Sequence, residues 1–112
     1  MHYILKDKKP VPIADLLEWA KAFGAMAGRR VAEDFVRREK GNIVGKIHVS
    51  TVFLGIDHQW GDGPPLLFET MVFGDCALDE SQERYSTWEE AEAGHRAWVE
   101  RVKTCVQPEE NQ

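Results

Sequence analysis

Two apolar runs occupy the middle of the chain, one from Ile47 to Ile56 and one, PLLFETMVFG, from Pro65 to Gly74. In both runs the odd and the even positions are mostly apolar, which is typical of strands at the centre of a sheet. The seven residues from Gln59 to Pro65 include two glycines and two prolines, a loop composition. The pattern therefore predicts two neighbouring strands joined by a short loop.

Weaker patterns predict further strands on both sides of this pair. The opening stretch, MHYILKDKKPVPI, has two short apolar pieces around a lysine-rich turn, and Pro10 and Pro12 exclude a helix there. A strand over RVAEDFVRR, a segment that could instead extend a helix, would lead into a turn at Lys40 to Gly45. The segment RYST would form a last short strand. An N-terminal hairpin, or one edge strand, and two additional strands are expected.

Two segments show helical spacing of their apolar residues. In the first, Asp15 and Glu18 form a capping pair, and the stripe that follows is predicted to lie in the core: Leu16, Leu17, Ala20, Phe23 and Ala27. In the second, Ser86 and Glu89 form a capping box, and the stripe consists of Trp88, Ala91, His95, Trp98 and Val102. These elements predict an α+β fold, with an antiparallel sheet of four to five strands and both helices packed on one face. Residues 1–106 would form a single domain and residues 107–112 a flexible acidic tail.

Charge is unevenly distributed along the 112 residues, whose net charge is −5. From Gly28 to Lys46 there are six basic residues and three acids, whereas from Asp57 to Glu92 there are ten acids and one arginine. The overall charge opposes general affinity for nucleic acid. The two cysteines, Cys76 and Cys105, have no C-x-x-C spacing and are expected to be free thiols. The opening residues lack a signal-peptide pattern and no run suits a membrane span, so a cytoplasmic protein is predicted.

A few polar residues in apolar surroundings are candidates for chemistry. Asp57 and His58 follow the first central strand and could act as a base with its orienting group. Glu69 lies within the second strand, where its carboxylate must meet a cation or face a pocket. His95 lies on the apolar stripe of the last helix. If His58, Glu69 and His95 converged they could bind a metal, but the alternative for each is a structural role. Standard nucleotide-binding and hydrolase motifs are absent from the sequence, and no cofactor is expected.

The strings VSTVFLGIDHQWGDGPPLLFETMVFG and RYSTWEEAEAGH resemble a family of small proteins encoded by tailed bacteriophages and prophages. The resemblance implies an accessory protein in the cytoplasm of an infected or lysogenic bacterium.

The absence of a catalytic motif favours a non-catalytic module that binds a bacterial or phage protein, such as a host or defence protein. Its contact residues would be one loop tryptophan and nearby acids, namely Trp60, Asp62, Glu89, Glu90 and Glu92. The acids could mimic nucleic-acid phosphates. Three other hypotheses remain: a small metal-dependent or acid/base enzyme that uses Asp57, His58, Glu69 and His95, a virion assembly protein, and a homodimer.

Overall fold

The computed structural model describes residues 1–24, 29–40 and 43–105. Its elements are β1 (His2–Lys6), β2 (Lys9–Ile13), α1 (Leu16–Phe23), β3 (Arg30–Lys40), β4 (Ile43–Phe53), β5 (Phe68–Gly74), β6 (Gln82–Tyr85) and α2 (Trp88–Thr104). The predicted α+β class is confirmed. The predicted tail, Gly41 and Asn42 of the expected Lys40 to Gly45 turn, and Ala27 lie outside the described residues.

The main sheet has four antiparallel strands in the order β3-β4-β5-β6. The two apolar runs therefore form the central strands, as predicted. Thr51 of β4 lies opposite Thr70 of β5. Glu69 lies opposite Val52 of β4. Strand β4 ends at Phe53, three residues before the end of the apolar run at Ile56.

The 17-residue helix α2 covers one face of this sheet. Its buried residues are those of the predicted stripe apart from half-buried Trp88, namely Ala91, His95, Trp98 and Val102. They pack against inward-facing strand residues such as Val49 and Val72. The buried residues of the strands and of α2 thus meet in one layer between sheet and helix.

The cap of α2 is Thr87, not the predicted Ser86. The Thr87 hydroxyl accepts from the Glu90 amide at 3.1 Å and donates to the Glu90 carboxylate at 3.0 Å. The capping box is therefore formed by Thr87 and Glu90 instead of Ser86 and Glu89, because Thr87 is the extended residue directly before the helix.

The predicted N-terminal hairpin is confirmed as β1 and β2, and α1 packs on that hairpin. Asp15 caps α1 as expected, by accepting from the Leu17 and Glu18 amides. The predicted core stripe is wrong: Leu17 is 75% exposed, and Leu16 and Ala20 are exposed as well. Trp19 attaches the helix instead, since its indole N–H donates to the Gly55 carbonyl at 3.1 Å.

The hairpin joins the main sheet at the end where β4 stops. The Tyr3 amide donates to the Gly55 carbonyl at 2.8 Å, and His2 forms a bridge with Ile56. Tyr3 also packs against a second core cluster around Phe53 and Phe68. Both cysteines are buried and neither belongs to a disulfide, as predicted.

Candidate functional site

His95 lies at the centre of a buried polar chain between α2 and the sheet. Its Nε2 atom lies 2.7 Å from Asp34 Oδ2, and its Nδ1 atom lies 2.6 Å from Thr51 Oγ1. The residue is only 3% exposed. Both ring nitrogens are therefore satisfied, which is the structural role that the sequence left open for this histidine.

The chain continues across the sheet from Thr51. Its hydroxyl lies 2.6 Å from the Thr70 hydroxyl, to which the Tyr85 hydroxyl donates at 3.1 Å. Burial raises the pKa of Tyr85 to about 12. At the far end, the Glu83 carboxylate accepts from the Trp98 indole at 2.9 Å and lies 3.2 Å from the Tyr85 hydroxyl oxygen. The polar chain, comprising Asp34, His95, Thr51, Thr70, Tyr85, Glu83 and Trp98, thus links all four strands to α2.

The order carboxylate, imidazole and hydroxyl in this chain resembles that of a catalytic triad. Accessibility argues against that role, because the Thr51 hydroxyl is fully buried and already bonded to Thr70. The accessible member is the acid: the Asp34 side chain is 54% exposed. A nucleophile must face its substrate, so this arrangement functions as a hydrogen-bonded connection between helix and sheet.

Glu69 lies on the other face of the sheet, which we term the open face because α2 does not cover it. The Arg84 Nε atom donates to its carboxylate at 2.9 Å from the adjacent strand β6. The cation expected from the sequence is thus Arg84, and the pair compensates the burial of the carboxylate.

The structure does not bring the three predicted metal ligands together. His95 belongs to the buried side of α2, and Glu69 belongs to the open face. The backbone amide of His58 bonds to the Leu66 carbonyl in a loop. Among residues 1–24, 29–40 and 43–105, no three His, Cys, Asp or Glu side chains are placed to hold a metal ion.

Asp57 organises the loop of residues 57–66, which we term the Trp60 loop. Its Oδ1 atom accepts from the Gln59 amide at 2.8 Å and from the Leu66 amide at 2.9 Å. These two backbone hydrogen bonds lower the pKa of Asp57. The carboxylate predicted to orient His58 therefore closes the loop instead.

Trp60 projects from this closed loop and is 93% exposed. The neighbouring Asp62 is exposed as well. The loop is further fixed by a bond of 3.2 Å from the Gln59 side chain to the Pro64 carbonyl. A large apolar side chain is thus held in solvent on an ordered loop.

The acidic half of the sequence has two kinds of carboxylate. Six of its ten acids make local hydrogen bonds or ion pairs, namely Asp57, Glu69, Asp75, Asp79, Glu83 and Glu90. Among the other predicted contact residues, Glu89 is exposed at the start of α2 and Glu92 is half-buried. The basic turn of the first hairpin approaches this region, since Lys8 Nζ lies 5.4 Å from the Trp88 ring centre.

A row of three rings on the open face was not predicted from the sequence. Phe35, His48 and Phe73 lie opposite one another on β3, β4 and β5. The Phe35 and His48 rings are stacked with centres 4.4 Å apart and planes within 6° of parallel. Alternation could place each ring on the polar side of its strand, but only the register shows that the three residues are neighbours.

The chain matches no protein-family model, no curated protein and no solved structure. No helix in the described ranges is long and apolar enough to cross a membrane. The assignment of function therefore depends on the surfaces themselves.

Proposed function

We propose that the protein is a non-catalytic binding module that attaches to another protein through the Trp60 loop. The observation that carries this proposal is the 93% exposure of Trp60 on a loop closed by Asp57. Tryptophan is enriched among the residues that dominate interface energies. A loop that is already ordered loses less conformational entropy on binding than a flexible one.

The acids near the loop suggest the chemistry of the partner. The Trp60 loop lies between Phe53 and Phe68, which are paired at the ends of β4 and β5. Phe68 is also paired with Tyr85 of β6, and α2 begins three residues after Tyr85. Glu89 in the first turn of α2 thus belongs to the same end of the sheet as the loop. An apolar pocket for the indole, bordered by lysines or arginines, would complement this end.

The sealed polar chain supports binding over catalysis. The Thr51 hydroxyl is buried, and both nitrogens of His95 are engaged. A substrate would have to separate α2 from the sheet to reach them. The role proposed for the polar chain is therefore to stabilise the packing of α2 on the sheet, and with it the scaffold that presents the loop.

The resemblance to phage-encoded proteins supports an accessory role in the cytoplasm of a bacterium, with a host or defence protein as the partner. The carboxylates support nucleic-acid mimicry less well, because six of the ten serve internal hydrogen bonds or ion pairs. We therefore assign the primary contact to Trp60, with Asp62 and Glu89 as its acidic border.

The test is an affinity capture from bacterial lysate at low and moderate salt, read by mass spectrometry. The baits are the wild-type protein, Trp60→Ala and Leu17→Ala, which removes a side chain of similar exposure on α1. We expect a near-stoichiometric partner with the wild type and Leu17→Ala, and loss of that partner with Trp60→Ala. Equal capture by Trp60→Ala would overturn the assignment to the loop.

A second pair of baits tests the acidic border. Asp62→Lys combined with Glu89→Lys should weaken capture most at low salt, because screening already reduces the attraction at higher salt. Glu100→Lys is the matched control, since Glu100 is an exposed acid near the other end of α2. Salt-independent capture that is unaffected by the charge reversal would contradict an electrostatic contribution.

A further inference from the structure

Strand β3 forms an edge of the main sheet and is 11 residues long. Within the described residues its only strand partner is β4. An edge of this length presents backbone donors and acceptors to which another strand can add. The side chains along the edge therefore indicate what kind of strand fits.

Phe35 lies near the middle of β3 and is 69% exposed. One face of its ring stacks on His48 of the neighbouring strand, with ring centres 4.4 Å apart. The other face points away from β4, where the sheet ends. Because adjacent strands are about 4.8 Å apart, a ring on an added strand could stack on that free face as His48 stacks on the first.

Glu33 and Arg37 flank Phe35 at two residues on either side and share its face of the strand. If a second β3 added antiparallel with Phe35 opposite Phe35 of the second copy, Glu33 would lie opposite Arg37 of that copy. The two-fold axis would generate the same pair again. The edge is thus complementary in charge to itself.

We propose that two copies of the chain associate through β3 in this register, forming a continuous eight-stranded sheet. Residues 32 to 38 of each copy pair, and the bulge between Arg30 and Ala32 ends the ladder on either side. The ring row of each copy, Phe73, His48 and Phe35, joins that of the other at the two-fold axis. The α2 helices lie on the same face of the joined sheet.

This association is independent of the proposed partner contact. The Trp60 loop leaves the sheet between β4 and β5, whereas the two-fold axis passes through the middle of β3. Both Trp60 side chains therefore stay accessible in the dimer. Trp60→Ala should abolish partner capture and leave self-association unchanged, so the two proposals can fail separately.

Sedimentation velocity of the full-length protein over a concentration series tests the dimer. We expect wild type to change from monomer to dimer as concentration rises. In Arg37→Glu, the new glutamate of each copy would lie opposite Glu33 of the other copy, which gives two pairs of like charges. The dissociation constant should therefore rise by about tenfold or more. Phe35→Ala should weaken association as well, because it removes the rings at the axis.

The decisive variant is the double exchange Glu33→Lys with Arg37→Glu, which restores opposite charges across the two-fold axis. It should recover most of the affinity lost in Arg37→Glu, which a general charge effect would not do. Arg96→Glu reverses an exposed charge on α2 as the matched control and should dimerise as the wild type does. Circular dichroism confirms that each variant is folded.

Two results would overturn the proposal. One is a wild-type protein that is monomeric at every concentration. The other is a dimer with the same affinity in wild type, Arg37→Glu and Phe35→Ala, which would place the interface elsewhere, for example on α2.

Discussion

His95 Nδ1 lies 2.6 Å from Thr51 Oγ1, and this contact joins the middle of α2 to the central strand of the sheet. Both residues are buried, so neither group has water as an alternative partner. Loss of this hydrogen bond would leave a buried polar group without a partner, and that penalty is its main contribution to stability.

Thr51→Val tests that contribution, because valine keeps the shape and removes the hydroxyl. His95 Nδ1 and Thr70 Oγ1 would each lose a partner. We expect the free energy of unfolding, measured by urea titration, to fall by about 1–3 kcal/mol. Thr104→Val is the control, since that hydroxyl is exposed near the end of α2. Similar losses in the two variants would contradict the importance of the polar chain.

The pair of Glu69 and Arg84 gives a second test. Arg84→Met would leave a carboxylate that is only 12% exposed without its cation. We expect a loss of about 1–2 kcal/mol in the free energy of unfolding, reduced by the partial exposure of Arg84. Lys103→Met breaks an exposed pair with Glu100 and should cost about 0–0.5 kcal/mol.

A double variant shows whether the penalty in Arg84→Met comes from the unpaired charge. Glu69→Met combined with Arg84→Met removes the carboxylate as well and should recover part of the lost stability. Equal stability of the single and double variants would show that Glu69 does not need its cation.

Gly94 makes room for Tyr85 where the ring crosses α2. A Cβ atom at position 94 would overlap the tyrosine ring and its hydroxyl. Alanine normally stabilises a helix relative to glycine by about 1 kcal/mol, but here we expect Gly94→Ala to destabilise the protein by about 1–3 kcal/mol. Urea unfolding would show the sign of the change.

Combination with Tyr85→Leu identifies the cause of that change. If the overlap is responsible, Gly94→Ala should cost less in the Tyr85→Leu background than in the wild type. Additive losses in the free energy of unfolding would mean that the destabilisation by alanine does not come from its overlap with the Tyr85 ring.

Local patterns in the sequence were sufficient for most of the elements. Runs that are apolar at both odd and even positions predicted the central strands, and helical spacing predicted α2 with its buried His95. The same spacing was misleading for α1, because an apolar stripe does not reveal whether a surface exists to cover it. Leu17 is apolar and at the right spacing, yet the helix packs on the small hairpin through Trp19.

Contacts between distant residues were the part that the sequence did not reveal. Asp34, the partner of His95, lies 61 residues earlier in a charged stretch with nothing to distinguish it. The ring row likewise depends on the register of three strands, which turn lengths and backbone pairing determine. By contrast, the sequence predicted that the Glu69 carboxylate meets a cation or faces a pocket, and Arg84 is that cation, because burial in an apolar strand is itself a local signal.

Asp57 links pH to the stability of the Trp60 loop. Its pKa is lowered in the folded state by the Gln59 and Leu66 amides, so the ionised form stabilises the fold. This contribution is present above the unfolded pKa of about 3.9 and is lost as the pH falls through the lower folded value. Asp57→Ala should therefore be less stable than wild type near neutral pH, with the difference shrinking in acid. Urea midpoints over this range give the comparison, with Asp62→Ala as the control in the same loop.

Partner binding provides the functional readout of the same substitution. Asp57→Ala keeps the Trp60 side chain but removes both hydrogen bonds that close the loop. The conformational entropy lost on ordering the loop then weakens binding. We expect weaker capture of the partner at neutral pH, although no contact residue has changed. Asp79→Ala is the matched control, since the Asp79 carboxylate accepts a hydrogen bond from the Gly74 backbone amide in another loop. Undiminished capture by Asp57→Ala would show that the indole binds equally well from a mobile loop, and that its fixed position in the structure is not what the partner recognises.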